Sequence, residues 1–158
     1  MKIRSDFVTN SSSSSFIVGF KDEHNFENEL KGMMNPKDKV EYDTLLNDIK
    51  KCRITKAKAK LIFLEEGVDW WTETALKIKY ERQMGYREFR DYLKVFKNKE
   101  KFQQELYDEF MKKFDEFKKK LEEFEYIAEV NYSDHDNYML EQEILPTIPC
   151  TIKRFSHH

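Results

Sequence analysis

The chain has few of the residues that break or staple a fold. Only 4 of its 158 residues are Gly and 3 are Pro, which excludes collagen-like, Gly/Ser-linker and Pro-rich chains. There are two cysteines, Cys52 and Cys150, and no CxxC pair. Two thiols alone do not complete a tetrahedral zinc site, so they read as reduced cysteines of a cytosolic protein. No apolar run approaches the roughly 20 residues of a bilayer span. The basic start, Met1-Lys-Ile-Arg4, has no apolar stretch of about 7–15 residues behind it, so no secretory signal and a cytoplasmic location are expected. An excess of one charge is missing too. With 28 basic and 30 acidic residues the net charge is -2, so nucleic acid and anionic membranes are not attracted globally and any such binding needs a local patch.

Charge and aromatic surface are abundant. Charged residues are 37% of the chain against roughly 25% in an average soluble domain, and aromatics are 15%. Disordered chains are aromatic-poor, so this one is expected to fold. Its length suits a single domain, residues 1–158, of α+β class.

Hydrophobic patterning divides the chain into three parts. A polar run, Ser11–Ser15, leads into Phe16-Ile-Val-Gly-Phe20, which reads as a buried strand. Gly19 inside it marks a bulge or a close backbone approach. The middle, about residues 25–125, reads as helical. Asn35-Pro36 suits a helix start, and Val40, Leu45, Ile49 and Cys52 keep approximate helical spacing. Residues 55–66 suit a further helix that Gly67 ends, although Lys56-Ala-Lys-Ala-Lys60 also alternates like an exposed strand. Trp71, Ala75 and Ile78 fit one helix face, as do Tyr86, Phe89, Leu93 and Phe96. The clearest pattern is Phe102, Leu106, Phe110, Phe114, Phe117, Leu121 and Phe124, stepping by three and four along one amphipathic helix near 99–125. Its stripe is expected to pack on the sheet, with homo-oligomerisation as the alternative. Repeated steps of four argue against a coiled-coil seam. Residues 126–132 and 150–155 alternate like strands, and residues 137–145 suit a helix stopped by Pro146. The expected architecture is a small three-stranded sheet, antiparallel or mixed, built from the chain ends with several helices packed on one face.

Two clusters invite a functional reading. The first is the acid-free run of residues 50–60, where Arg53, Lys56 and Lys60 would share one helix face. Phosphate contact is physically reasonable there. Glu65, Glu66 and Asp69 follow at once, so a solvated face is the better reading and nucleic acid is not the expected partner.

The second cluster lies at the chain ends. If the first two strands are antiparallel, Ser13 and Ser14 come beside Ser133 and Asp134, and the third strand delivers Ser156, His157 and His158 to the same edge. Asp134, Asp136, His157 and His158 suit a divalent metal such as Zn, Mn or Fe, with His135, Glu141 and Glu143 close by in sequence. Ser13, Ser14 and Ser133 would supply a polar or anion site. A Ser13/Asp134/His157 nucleophilic triad can be assembled on paper. A calcium loop fails, because Met139 stands where its Gly is required and Leu145 where its bidentate Glu is required. There is no HExxH, no GxSxG and no phosphate-cradling Gly loop. The bland alternative is that the serines satisfy strand-edge backbone groups and the acids cap a turn.

The opening Lys2-Ile-Arg-Ser-Asp-Phe-Val-Thr-Asn-Ser-Ser-Ser-Ser-Ser-Phe-Ile-Val18 resembles an N-terminal signature of small uncharacterised bacterial and phage proteins, and Tyr132-Ser-Asp134 and Phe155-Ser-His-His158 are similar to C-terminal elements of some of them. The likeness covers roughly 25 residues at the two ends. Asn137, where that pattern has Gly, departs from it. The resemblance implies a prokaryotic or phage origin and a shared sheet, and no particular activity. Two functions are therefore expected to compete. One is an interaction protein that binds a host protein, in the host cytoplasm if phage-encoded. The other is a metal-dependent hydrolase or nuclease built on Asp134 and His157.

Overall fold

The computed structural model describes residues 13–67, 73–79 and 99–157. The elements in order are strand β1 (Ser13–Phe20), helices α1 (Phe26–Met33) and α2 (Lys39–Lys51), strand β2 (Arg53–Ile54), helices α3 (Lys56–Glu66) and α4 (Lys99–Leu121), strand β3 (Tyr126–Ser133), helix α5 (Asp134–Tyr138), a π-helix (Met139–Ile144) and strand β4 (Thr151–His157). Residues 73–79 are also helical. The class is α+β, as expected. Tyr86, Phe89, Leu93 and Phe96 lie outside the described residues, as do Trp71 and residues 1–12 of the N-terminal signature.

The sheet has four strands in the order β2-β3-β1-β4, all antiparallel. Three were expected. The fourth, β2, is two residues long, too short to leave an alternating pattern. It pairs Arg53 with Ala128 and Ile54 with Ile127. β1 is buried from Ser14 to Phe20, so both faces of the sheet are covered rather than the single face expected. The even-numbered face carries Phe16, Val18, Phe20, Tyr126, Ala128, Val130 and Tyr132 into a core with Leu30 of α1, Leu45 and Ile49 of α2, and Leu140, Ile144 and Leu145. On the opposite face Ile17 and Ile127 are equally buried. Here Gly19 leaves room for its neighbours: a Cβ built on it would lie 2.7 Å from both Ile152 Cδ1 and Phe124 Cγ. The β1–β4 register also shifts between Ile17 and Val18. Gly19 is thus beside a bulge and at a close approach.

Local chemistry moves some helix boundaries. Asn35-Pro36 does not start α2. Asn35 Oδ1 accepts from the Lys37 N–H at 2.9 Å and its carbonyl accepts from Asp38 at 2.9 Å, which closes a turn before the helix. Thr55 starts α3, its Oγ1 accepting from the Lys58 N–H at 3.0 Å. Gly67, at φ 72°, ends the same helix in the left-handed conformation that favours glycine.

The chain divides into two compact units, residues 1–62 with 117–158, and residues 63–116. The sheet belongs to the first. In the second, Phe63 meets Phe110 and Phe114 with ring centroids 5.5 Å apart, while Leu76, Phe102 and Leu106 form a separate cluster. Leu76, not Ala75 or Ile78, is the buried residue of segment 73–79. The Phe stripe of α4 is accordingly shared out. Only Phe117, Leu121 and the following Phe124 belong to the sheet unit, whereas Phe102 to Phe114 build the other core.

Candidate functional site

The strand pairing gathers the polar ends of the sheet. Ser13 is in register with Ser133 on one side and with His157 on the other, and Ser14 with Tyr132 and Ser156. The backbones of Ser13, Ser133 and His157 therefore form one row across three strands. The side chain of His157 and the whole of His158 lie outside the described residues.

Of the acids after β3, Asp136 serves local structure. Ser133 caps α5, its Oγ accepting from the Asp136 N–H at 3.2 Å and donating to the Asp136 carboxylate at 3.3 Å. Asp134 is half-buried and His135 exposed at the start of this helix. Among the described residues no three His, Cys, Asp or Glu gather as a metal-ligand set.

Ser14 and Glu141, both named from the sequence, form a buried polar cluster with Arg154, which was not. Glu141, on the π-helix, is fully buried and Ser14 is 1% exposed. Ser14 Oγ donates to Glu141 Oε2 at 3.0 Å and accepts from Arg154 Nε at 3.0 Å. A guanidinium nitrogen of Arg154 stands 3.9 Å from the same carboxylate, and Gln142 Nε2 donates to its other oxygen at 2.7 Å. A buried carboxylate is tolerated only when hydrogen-bonded and paired, and this one is both. Leu140, Glu141, Ile144 and Leu145 all point inward, and the Leu145 N–H donates to the Leu140 carbonyl at 3.1 Å, five residues back. An even-numbered Ser in β1 with an Arg diagonally across on β4, opposite Phe16, was the available signal. Its partner, 127 residues away, could be identified only from the fold.

Beside this latch the chain turns outward. Tyr138 and Met139 are 53% and 43% exposed, although they immediately precede the buried Leu140 and Glu141. Neighbouring Ser15 hydrogen-bonds Asn131 across β1 and β3.

The basic run is not a single helix face. Arg53 lies in β2, because α3 begins only after Thr55, while Lys56 and Lys60 are on α3. Much of its charge is answered locally. Arg53 pairs with Glu23 at 2.7 Å and holds that carboxyl below its ordinary pKa; its guanidinium also lies 4.5 Å from the Tyr126 ring centroid. Lys56 faces Glu122 at 3.5 Å, and Lys50 meets Glu27 at 2.7 Å, which raises the lysine's pKa.

The second unit holds an open cleft of about 610 Å³ lined by Leu76, Lys79, Glu105, Asp108, Glu109 and Lys113, with Lys79 and Glu105 3.5 Å apart. Both cysteines are free, Cys52 exposed and Cys150 buried. No described helix is long and apolar enough to cross a membrane. No protein family matches the chain, and no curated protein or solved structure matches it either.

Proposed function

We propose that this protein works by binding another protein, a host protein if its origin is bacterial or phage, rather than by turning over a substrate. The observation that carries the reading is the pair Tyr138 and Met139, exposed on a segment that the Arg154–Ser14–Glu141 latch holds to the sheet. Tyr and Met are enriched at protein interfaces. Anchors fixed in place before binding lose less conformational entropy when they dock. Ser14, the serine with both a carboxylate and a guanidinium beside it, is too buried to meet a substrate.

Co-purification with full-length tagged protein from its cell of origin tests this. A partner retained by the native chain and lost by the Tyr138→Ala/Met139→Ala variant is the expected outcome. Unchanged partners in a variant that unfolds at the same urea concentration would sink the proposal. The metal-dependent hydrolase reading keeps one support, the row of Ser13, Ser133 and His157. Metal analysis and thermal shifts with added Zn or Mn test it, and no stabilisation by either ion removes it.

A further inference from the structure

The charge of the chain is balanced overall, but not along its length. Between Lys120 and Lys153 there is no Lys or Arg, while eight Asp or Glu residues occur: Glu122, Glu123, Glu125, Glu129, Asp134, Asp136, Glu141 and Glu143. Two of these are neutralised within the fold, Glu122 by Lys56 and Glu141 by Arg154. Asp134, Asp136 and Glu143 flank the exposed Tyr138 and Met139 on the same short segment, and Asp136 and Glu143 are themselves exposed. Arg154, which follows this stretch, is turned toward Ser14 and Glu141.

From this juxtaposition we infer that the face at Tyr138 and Met139 receives a basic protein segment, one that seats an apolar side chain against this pair and sets Lys or Arg opposite Asp134, Asp136 and Glu143. The inference rests on the binding-protein reading above and adds the chemistry of the partner. Complementary charge around a small apolar centre speeds encounter and disfavours acidic competitors. The same field repels nucleic acid and anionic lipid, whose phosphates carry the wrong sign.

A photo-crosslinking amino acid in place of Tyr138, in the full chain and in its cell of origin, tests this directly. The expected product is a crosslink to a Lys/Arg-rich protein segment. Its yield should fall about tenfold in the Asp134→Asn/Asp136→Asn/Glu143→Gln variant, equivalent to about 1.4 kcal/mol, and should fall likewise as salt is raised. The amide at Asp136→Asn keeps an oxygen for the Ser133 hydroxyl, and an unchanged urea midpoint confirms that the variant is folded. A crosslink to an acidic or uncharged protein segment, indifferent to the variant and to salt, overturns the inference and leaves the binding-protein reading intact. A crosslink to nucleic acid or lipid alone, or none at all, overturns both.

Discussion

Ser14 donates its hydroxyl hydrogen to the fully buried carboxylate of Glu141 at 3.0 Å, joining the second residue of β1 to the π-helix across 127 positions of sequence. Because Arg154 Nε donates to the same hydroxyl, the serine bridges a buried anion and a half-buried cation. Removing Glu141 takes away the carboxylate that Ser14 and Arg154 face.

Glu141→Ala is therefore expected to destabilise the protein by about 3–5 kcal/mol, read from urea unfolding monitored by circular dichroism. Adding Arg154→Met should recover much of that loss, since the uncompensated cation disappears as well. Strictly additive losses in the double variant would show that the two charges are not coupled.

Gly19 makes the complementary steric prediction. Its missing Cβ is replaced in space by Ile152 and Phe124. Gly19→Ala should cost about 1–3 kcal/mol through overpacking. Combining it with Phe124→Leu should cost less than the sum of the two single changes. An alanine that leaves the urea midpoint unmoved would contradict the close approach.

Tyr132 hydroxyl donates to Asp48 Oδ2 at 2.6 Å, tying β3 to α2. Tyr132→Phe strands the carboxylate's share of that bond and is expected to cost about 1.5–3 kcal/mol. Asp48→Asn should cost less than the Phe variant, because the amide oxygen still accepts. Equal losses would mean that the negative charge, not the hydrogen bond, matters.

Alkaline pH should weaken the fold. Burial raises the Cys150 thiol from its ordinary 9.0 to about 12, and burial also raises the Tyr126 and Tyr132 hydroxyls, the latter assisted by Asp48. All three groups hold their protons more tightly when folded than when unfolded. Their stabilising contribution is complete below about pH 9, where the unfolded thiol is still protonated, and is lost progressively as pH rises toward 12. Urea midpoints measured from pH 8 to 11 should decline, and Cys150→Ala should flatten the first part of the decline. A disulfide-exchange reagent at neutral pH should modify the exposed Cys52 readily and Cys150 only after unfolding.

Much of the fold was legible locally. The alternation of residues 126–132, the apolar run of residues 16–20 and the periodic Phe stripe identified two strands and the long helix, because each needs only neighbours within one turn or one pleat to declare itself. Asn35-Pro36 misled for the same reason: its preference for a cap is real, but a turn satisfied it before the helix began. β2 was invisible, since two residues have no period. The polar ends were legible as residues that antiparallel pairing would bring together, and the register places Ser13, Ser133 and His157 in one row.

What the sequence determined by itself was class and composition of surfaces: an α+β chain with apolar stripes, balanced charge and serine- and histidine-bearing ends. Tertiary structure decided which charges matter. It divided one continuous Phe stripe between two cores, answered the basic run with Glu23, Glu27 and Glu122, and buried Glu141 against Ser14 and Arg154 while leaving Tyr138 and Met139 outside. Hydrophobic periodicity is a property of neighbours along the chain. Whether a charge is solvated, paired or buried depends on residues on other elements, distant along the chain, and only the folded chain brings those together.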